Sequence, residues 1–152
     1  MTMAAGMYGL TLEKFFNVSL SSYTNGLESE TLNKAMLVQD AHTPAFDTHN
    51  FRDDVTNEPG NSGTYTSGGS VLTSTELAVA TPAATQMNYD AADLSWTGTT
   101  ITARGAITFR NVGTAATDEL IVANTFASDV STSGGTFTLS WHANGLFFID
   151  YA

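Results

Sequence analysis

The densest group of side chains able to do chemistry lies in the segment Phe46 to Glu58, which reads FDTHNFRDDVTNE. Its charged or titratable members are Asp47, His49, Arg52, Asp53, Asp54 and Glu58. Carboxylate oxygens at this density are the ligands that Ca²⁺ prefers, but the spacing of an EF-hand loop is absent. We therefore favour a solvated acidic loop, in which Arg52 pairs with acids of its own segment while Phe46 and Phe51 pack inward.

The residues in and near this segment do not favour a zinc site. Zinc needs three or four nitrogen or sulfur ligands for a structural site. The chain has no cysteine, and His42 and His49 are the only histidines near the acidic segment. We predict neither a metal nor a cofactor, and the missing cysteines also exclude disulfides and thiolate nucleophiles.

No catalytic motif is present. The sequence contains no G-x-S-x-G serine motif and no glycine-rich phosphate loop with a lysine. Asp53 and Asp54 are adjacent, so they do not define the facing carboxylate pair of a glycosidase. His142 precedes a turn signal and is typical of a surface residue. We predict that the protein is not an enzyme.

The charge of the chain limits the classes of partner that we expect it to bind. Of 152 residues, 15 are acidic and 5 are basic, for a formal net charge of -10. Nucleic-acid binding requires clusters of Lys and Arg, so neither a nucleic acid nor an anionic membrane is an expected partner. No apolar run approaches the roughly 18 residues of a membrane-spanning helix. The N-terminal residues lack the basic region of a signal peptide, so we expect a protein made and kept, or assembled, in a cytoplasm.

The clearest structural signal is the two-residue alternation of ITARGAITFR, from Ile101 to Arg110. It predicts a half-buried strand with Ile101, Ala103, Gly105, Ile107 and Phe109 on one face and Arg104 and Arg110 on the other. Further strands are predicted at Leu32–Val38, Val71–Val79, Thr85–Tyr89, Leu94–Trp96, Leu120–Phe126, Phe137–Trp141 and Leu146–Tyr151. The expected neighbours of the central strand are Leu94–Trp96 and Leu120–Phe126. Asn144-Gly145 predicts a hairpin that joins the last two strands.

The remaining segments complete the expected fold. Residues 1–10 are predicted to form a flexible N-terminal arm, and Leu12 to Thr24 an amphipathic helix. Residues 39–70 form a long loop, with a short helix possible at His49 to Thr56. We expect a mainly β protein, an antiparallel β-sandwich or partly open barrel of about seven strands with one N-terminal α-helix, in which residues 11–152 form a single domain.

Four residues are candidates for a subunit interface: Arg104, Arg110, Phe147 and Tyr151. The two arginines lie about 20 Å apart on one strand, at 3.3–3.4 Å per residue, so they cannot share one ligand. Each is expected to pair with an acid, either on an adjacent strand or on another subunit. The segment Leu146 to Tyr151 is apolar on both faces except at Asp150, and an oligomer interface is one way to cover it.

Four motifs together resemble a group of small structural proteins of tailed bacteriophages. They are DTHNFRDDVTNE (Asp47–Glu58), GTYTSGG (Gly63–Gly69), ITARGAI (Ile101–Ile107) and GTFTLSWHANGLF (Gly135–Phe147). Members usually carry an aromatic or bulky residue where this chain has Gly105.

The resemblance implies a virion component present in many copies. It suggests a capsid decoration (cement) protein that binds the major capsid protein on the outer surface of the head as a homotrimer. Such a protein would be assembled in the bacterial cytoplasm. The alternative is a tail, baseplate or fibre component, including one that binds the host surface.

Overall fold

The computed structural model describes residues 3, 5–8, 26–79 and 86–150, and this part of the chain is mainly β. Its strands are β1 (Gly6–Met7), β2 (Asn33–Val38), β3 (Ser70–Val71), β4 (Glu76–Val79), β5 (Gln86–Asp90), β6 (Leu94–Thr99), β7 (Thr102–Arg110), β8 (Glu119–Ser131), β9 (Gly135–Leu139) and β10 (Phe147–Asp150). Two short 3-10 turns occur at Gly26–Glu28 and Arg52–Asp54. The mainly β class and antiparallel sheets are confirmed, but the described residues contain ten strands, not about seven. The helix predicted at Leu12 to Thr24 lies outside the described residues.

The largest sheet has five strands in the order β1-β8-β7-β2-β3, with β7 at its centre. The expected neighbour Leu120–Phe126 belongs to β8 and does pair with β7. The other expected neighbour was wrong, because β6 pairs with β9 in a separate two-stranded sheet and β2 takes its place beside β7. The strand β2 is apolar on both faces, so a central position that covers both faces suits it.

The third sheet has the order β10-β5-β4, which contradicts the predicted pairing of the last two strands. The turn itself forms, since the Gly145 N–H donates to the His142 carbonyl at 2.7 Å. However, the Leu146 N–H donates to the Tyr89 carbonyl at 2.8 Å, which directs β10 onto β5. Gly145 has a φ of 80°, and a Cβ there would lie 2.1 Å from the Tyr89 carbonyl oxygen, so only glycine permits this approach.

Two apolar clusters cover the two faces of the five-stranded sheet. The first cluster lies between this sheet and the two smaller sheets, and includes Ala103, Tyr89, Trp96 and Phe137. The second cluster lies on the opposite face, and includes Met3, Tyr8, Met36, Ile107 and Phe109, with Phe46 of the long loop packed against it. Because both faces are covered, β2 and β7 are buried along most of their length.

The predicted single apolar face of β7 is divided in two. Ala103 and Ala106 belong to the first cluster, whereas Ile107 and Phe109 belong to the second. The division coincides with a bulge in β8 opposite Arg104, where the paired register shifts between Ala103 and Gly105. The alternation is therefore interrupted at this arginine, and the expectation of one continuous face was wrong.

Part of the predicted N-terminal arm packs on the sheet of its own chain. In β1, Gly6 and Met7 pair with Ala123 and Val122 of β8. Met3 and Tyr8 on either side are buried. This segment covers the second cluster at the outer edge of the sheet.

Candidate functional site

Arg104, a predicted interface residue, forms its ion pairs within the chain. Its Nε donates to Asp40 Oδ1 at 3.0 Å and lies 3.5 Å from Asp129 Oδ1. Its Nη1 donates to the Ala127 carbonyl at 3.4 Å. Ala127 and Asp129 belong to the bulge of β8, so Arg104 fixes the bulge to the turn that follows β2. An additional role at a subunit boundary stays a prediction.

Arg110 is buried, with 6% of its surface exposed. It lies at the end of β7, opposite Asn33 of β2 and Glu119 of β8. Alternation from Phe109, which packs in the second cluster, directs Arg110 toward the other face of the sheet. This burial leaves little of the Arg110 side chain available to another subunit.

The predicted aromatic interface residues have different positions. Phe147 is half-buried, and its ring packs against Tyr89 with centroids 5.4 Å apart. Tyr151 lies outside the described residues. The exposed aromatic residue of β10 is Phe148, at 46% exposure, which the sequence reasoning did not single out. The sequence feature that could have identified Phe148 is the presence of apolar residues on both faces of this strand.

In the acidic segment, Arg52 pairs outside the segment, contrary to the prediction. Its Nε donates to Asp118 Oδ2 at 2.8 Å, and its guanidinium lies 5.4 Å from the centroid of the Phe109 ring. Asp118 is fully buried, and its Oδ1 also accepts the N–H groups of Val112 and Gly113 at 2.7 and 3.1 Å. The pair therefore fastens the long loop to the turn between β7 and β8.

Two further acids of the segment stabilise backbone turns. Asp54 Oδ2 accepts the N–H groups of Phe51 and Asn50, at 3.0 and 2.8 Å, and these bonds lower the pKa of the carboxyl group. Glu58 Oε1 accepts the Tyr65 hydroxyl at 2.7 Å and the Gly68 N–H at 2.6 Å. These acids hold the loop, and Phe46 packs inward as predicted.

His42 is a buried histidine in this loop, 1% exposed. Its Nδ1 accepts the Thr56 N–H at 3.3 Å, and Nε2 has no hydrogen-bond partner among the described residues. The His49 ring lies 5.9 Å away, and burial together with His49 lowers the pKa of His42. Among the described residues, no group of three or more His, Asp or Glu side chains is arranged to hold a metal ion. The same residues include no helix with the length and apolar character needed to cross a membrane.

An open groove lies between the end of β8 and β9. It has a volume of about 250 Å³ and is lined by Phe126, Val130, Phe137, Thr138, Leu139 and Ser140. No lining residue is charged, and Val130 is 42% exposed. We call it the β8–β9 groove.

No family model, curated protein or solved structure matches this chain. Its function must therefore be inferred from its own residues.

Proposed function

We propose that this chain is a structural protein of a tailed-bacteriophage virion, specifically a capsid decoration protein that stabilises contacts between major capsid proteins on the outer surface of the head. The observation that carries the proposal is that the charged side chains stabilise the fold. Arg52 and Asp118 fasten the long loop to the turn between β7 and β8, and Asp54 and Glu58 stabilise turns within that loop. Charged side chains that hold loops in place contribute to the mechanical stability of the fold. The core shared by the three sheets also supports a sandwich-like arrangement.

The charge of the surface supports a protein partner. Arg52 and Arg104 are neutralised within the chain, and Arg110 is buried. Because acids outnumber bases 15 to 5, the net charge of the exterior is negative. A surface of this kind repels nucleic acid and favours binding through shape and uncharged contacts, for which the β8–β9 groove and Phe148 are suited.

The proposed role is to add buried area across the seams between capsid subunits. A standard protein interface buries about 1,600 Å² in total, and apolar area contributes about 25 cal/mol per Å² removed from water. A homotrimer would bind several seams at once, so its attachment would gain from multivalency. The sum over many copies would oppose the outward pressure of packaged DNA.

Purified virions provide the test. Quantitative gel analysis should give a copy number comparable to that of the major capsid protein, and imaging should place the density on the outer face of the head. A few copies per particle would overturn the proposal. Density found on tails alone would instead support the tail, baseplate or fibre alternative.

A further inference from the structure

The N-terminal segment, residues 3 and 5–8, occupies a built site on the outer edge of β8. Gly6 and Met7 pair with Ala123 and Val122, and the Tyr8 N–H donates to the Ile121 carbonyl at 3.2 Å. Strand pairing therefore joins only a few residues of this segment to β8, and the other contacts come from side chains.

The side chains of the segment fit specific positions on the sheet. Met3 is 2% exposed and Tyr8 is fully buried in the second cluster. Met3 lies over Gly105, where an added Cβ would come within 2.9 Å of its sulfur atom. The Tyr8 ring packs on Phe46, with centroids 5.3 Å apart. The site thus selects this segment by shape and by strand pairing.

The chain between this segment and the rest of the fold is long. Seventeen residues, 9–25, separate Tyr8 from Gly26. A stretch of this length spans up to about 56 Å at 3.3 Å per residue. A domain of 152 residues has an expected radius of gyration of about 15 Å, so the connection is long enough to reach a neighbouring copy.

We propose that the N-terminal segment is exchanged between copies, so that the segment of one chain occupies the β8 site of its neighbour. The contacts are the same within a chain and between chains, so the local concentration of copies decides which arrangement prevails. The Tyr8 hydroxyl is buried without a hydrogen-bond partner among the described residues, which weakens docking and favours release. The exchange requires no capsid and goes beyond the proposed function.

Disulfide trapping tests the exchange, because the chain has no cysteine of its own. The Tyr8–Ile121 hydrogen bond makes Met7 and Val122 a non-hydrogen-bonded pair, with Cα atoms expected about 4.5 Å apart, within disulfide range. Met7→Cys and Val122→Cys chains, carrying tags of different mass, are mixed at high concentration and oxidised. The matched control replaces Val122→Cys with Val130→Cys, an exposed position on the same strand.

The expected result is a mixed-tag covalent dimer with Val122→Cys and its absence with Val130→Cys. The Met7→Cys/Val122→Cys double variant should form covalent multimers at high concentration. Only internally bridged monomers, or equal cross-linking with the control, would overturn the exchange. As a check independent of these variants, a labelled peptide MTMAAGMYGL should bind the full chain saturably. A peptide with Met3→Ala and Tyr8→Ala should not bind, and failure of the unmodified peptide to bind would also count against the exchange.

Discussion

Replacing Asp118 with alanine should destabilise the fold more than any exposed acid-to-alanine change. Asp118 is fully buried and has three partners, the Arg52 side chain and the N–H groups of Val112 and Gly113. Removing one partner of a buried ion pair costs about 3–5 kcal/mol. Arg52 is 26% exposed, so water can partly solvate its guanidinium, and we expect about 3 kcal/mol. This is a large fraction of the 5–15 kcal/mol that usually stabilises a domain.

The Asp118→Asn variant separates charge from hydrogen bonding. Its amide oxygen can still accept the two backbone N–H groups, but the attraction to Arg52 is lost, because the amide NH2 group is a donor and faces the Arg52 Nε–H. Hydrogen bonds to charged groups contribute about 1.5–3 kcal/mol, so we expect a loss of about 1.5 kcal/mol, smaller than that of the alanine variant.

Urea denaturation followed by circular dichroism measures these differences as shifts of the midpoint at constant slope. Asp129→Ala is the matched control, because its carboxylate is 50% exposed and lies 3.5 Å from Arg104. An exposed pair of this kind contributes less than about 1 kcal/mol. Equal losses for Asp118→Ala and Asp129→Ala would refute the bracing role assigned to the buried carboxylate.

Two other substitutions test the packing of the sheet and the long loop. Gly105→Ala should lower the free energy of unfolding by about 1–3 kcal/mol, because its Cβ would lie 2.4 Å from the Asn124 carbonyl oxygen. In the control Gly60→Ala, the Cβ meets nothing within 4 Å, so this variant should be nearly neutral in urea denaturation. Equal effects of the two substitutions would contradict this packing. Burial lowers the pKa of His42, so the unfolded chain binds more protons, and stability should fall as pH drops below about 6.5 until the folded pKa is passed. The unfolding free energy of His42→Asn should therefore depend less on pH between about pH 7 and pH 5. The exposed control His142→Asn should keep the pH dependence of the unchanged chain. An unchanged pH dependence in His42→Asn would refute the role assigned to His42.

Local patterns in the sequence identified much of the β structure. The alternation of Ile101 to Arg110 located β7, and the apolar segment Leu32–Val38 located β2 to within one residue. Arg104 was also recognised as a charge-pairing residue. These features depend on side chains two residues apart, so the linear sequence contains them.

The partners of these elements were not predictable in the same way. The apolar residues of β7 divide between two clusters opposite a bulge in β8, which is distant in sequence, and the close approach of Gly145 to β5 determines where β10 pairs. Neither depends on spacing along one strand.

The sequence by itself determined that the chain is β-rich, acidic, free of cysteine and without a catalytic motif. Only the tertiary structure decided that Arg52 pairs with Asp118, 66 residues away, and that Phe148 is the exposed aromatic residue of β10. The physical reason is that burial and ion pairing depend on segments far apart in the chain. A local period specifies the two faces of a strand, whereas the assembled sheets specify what covers each face.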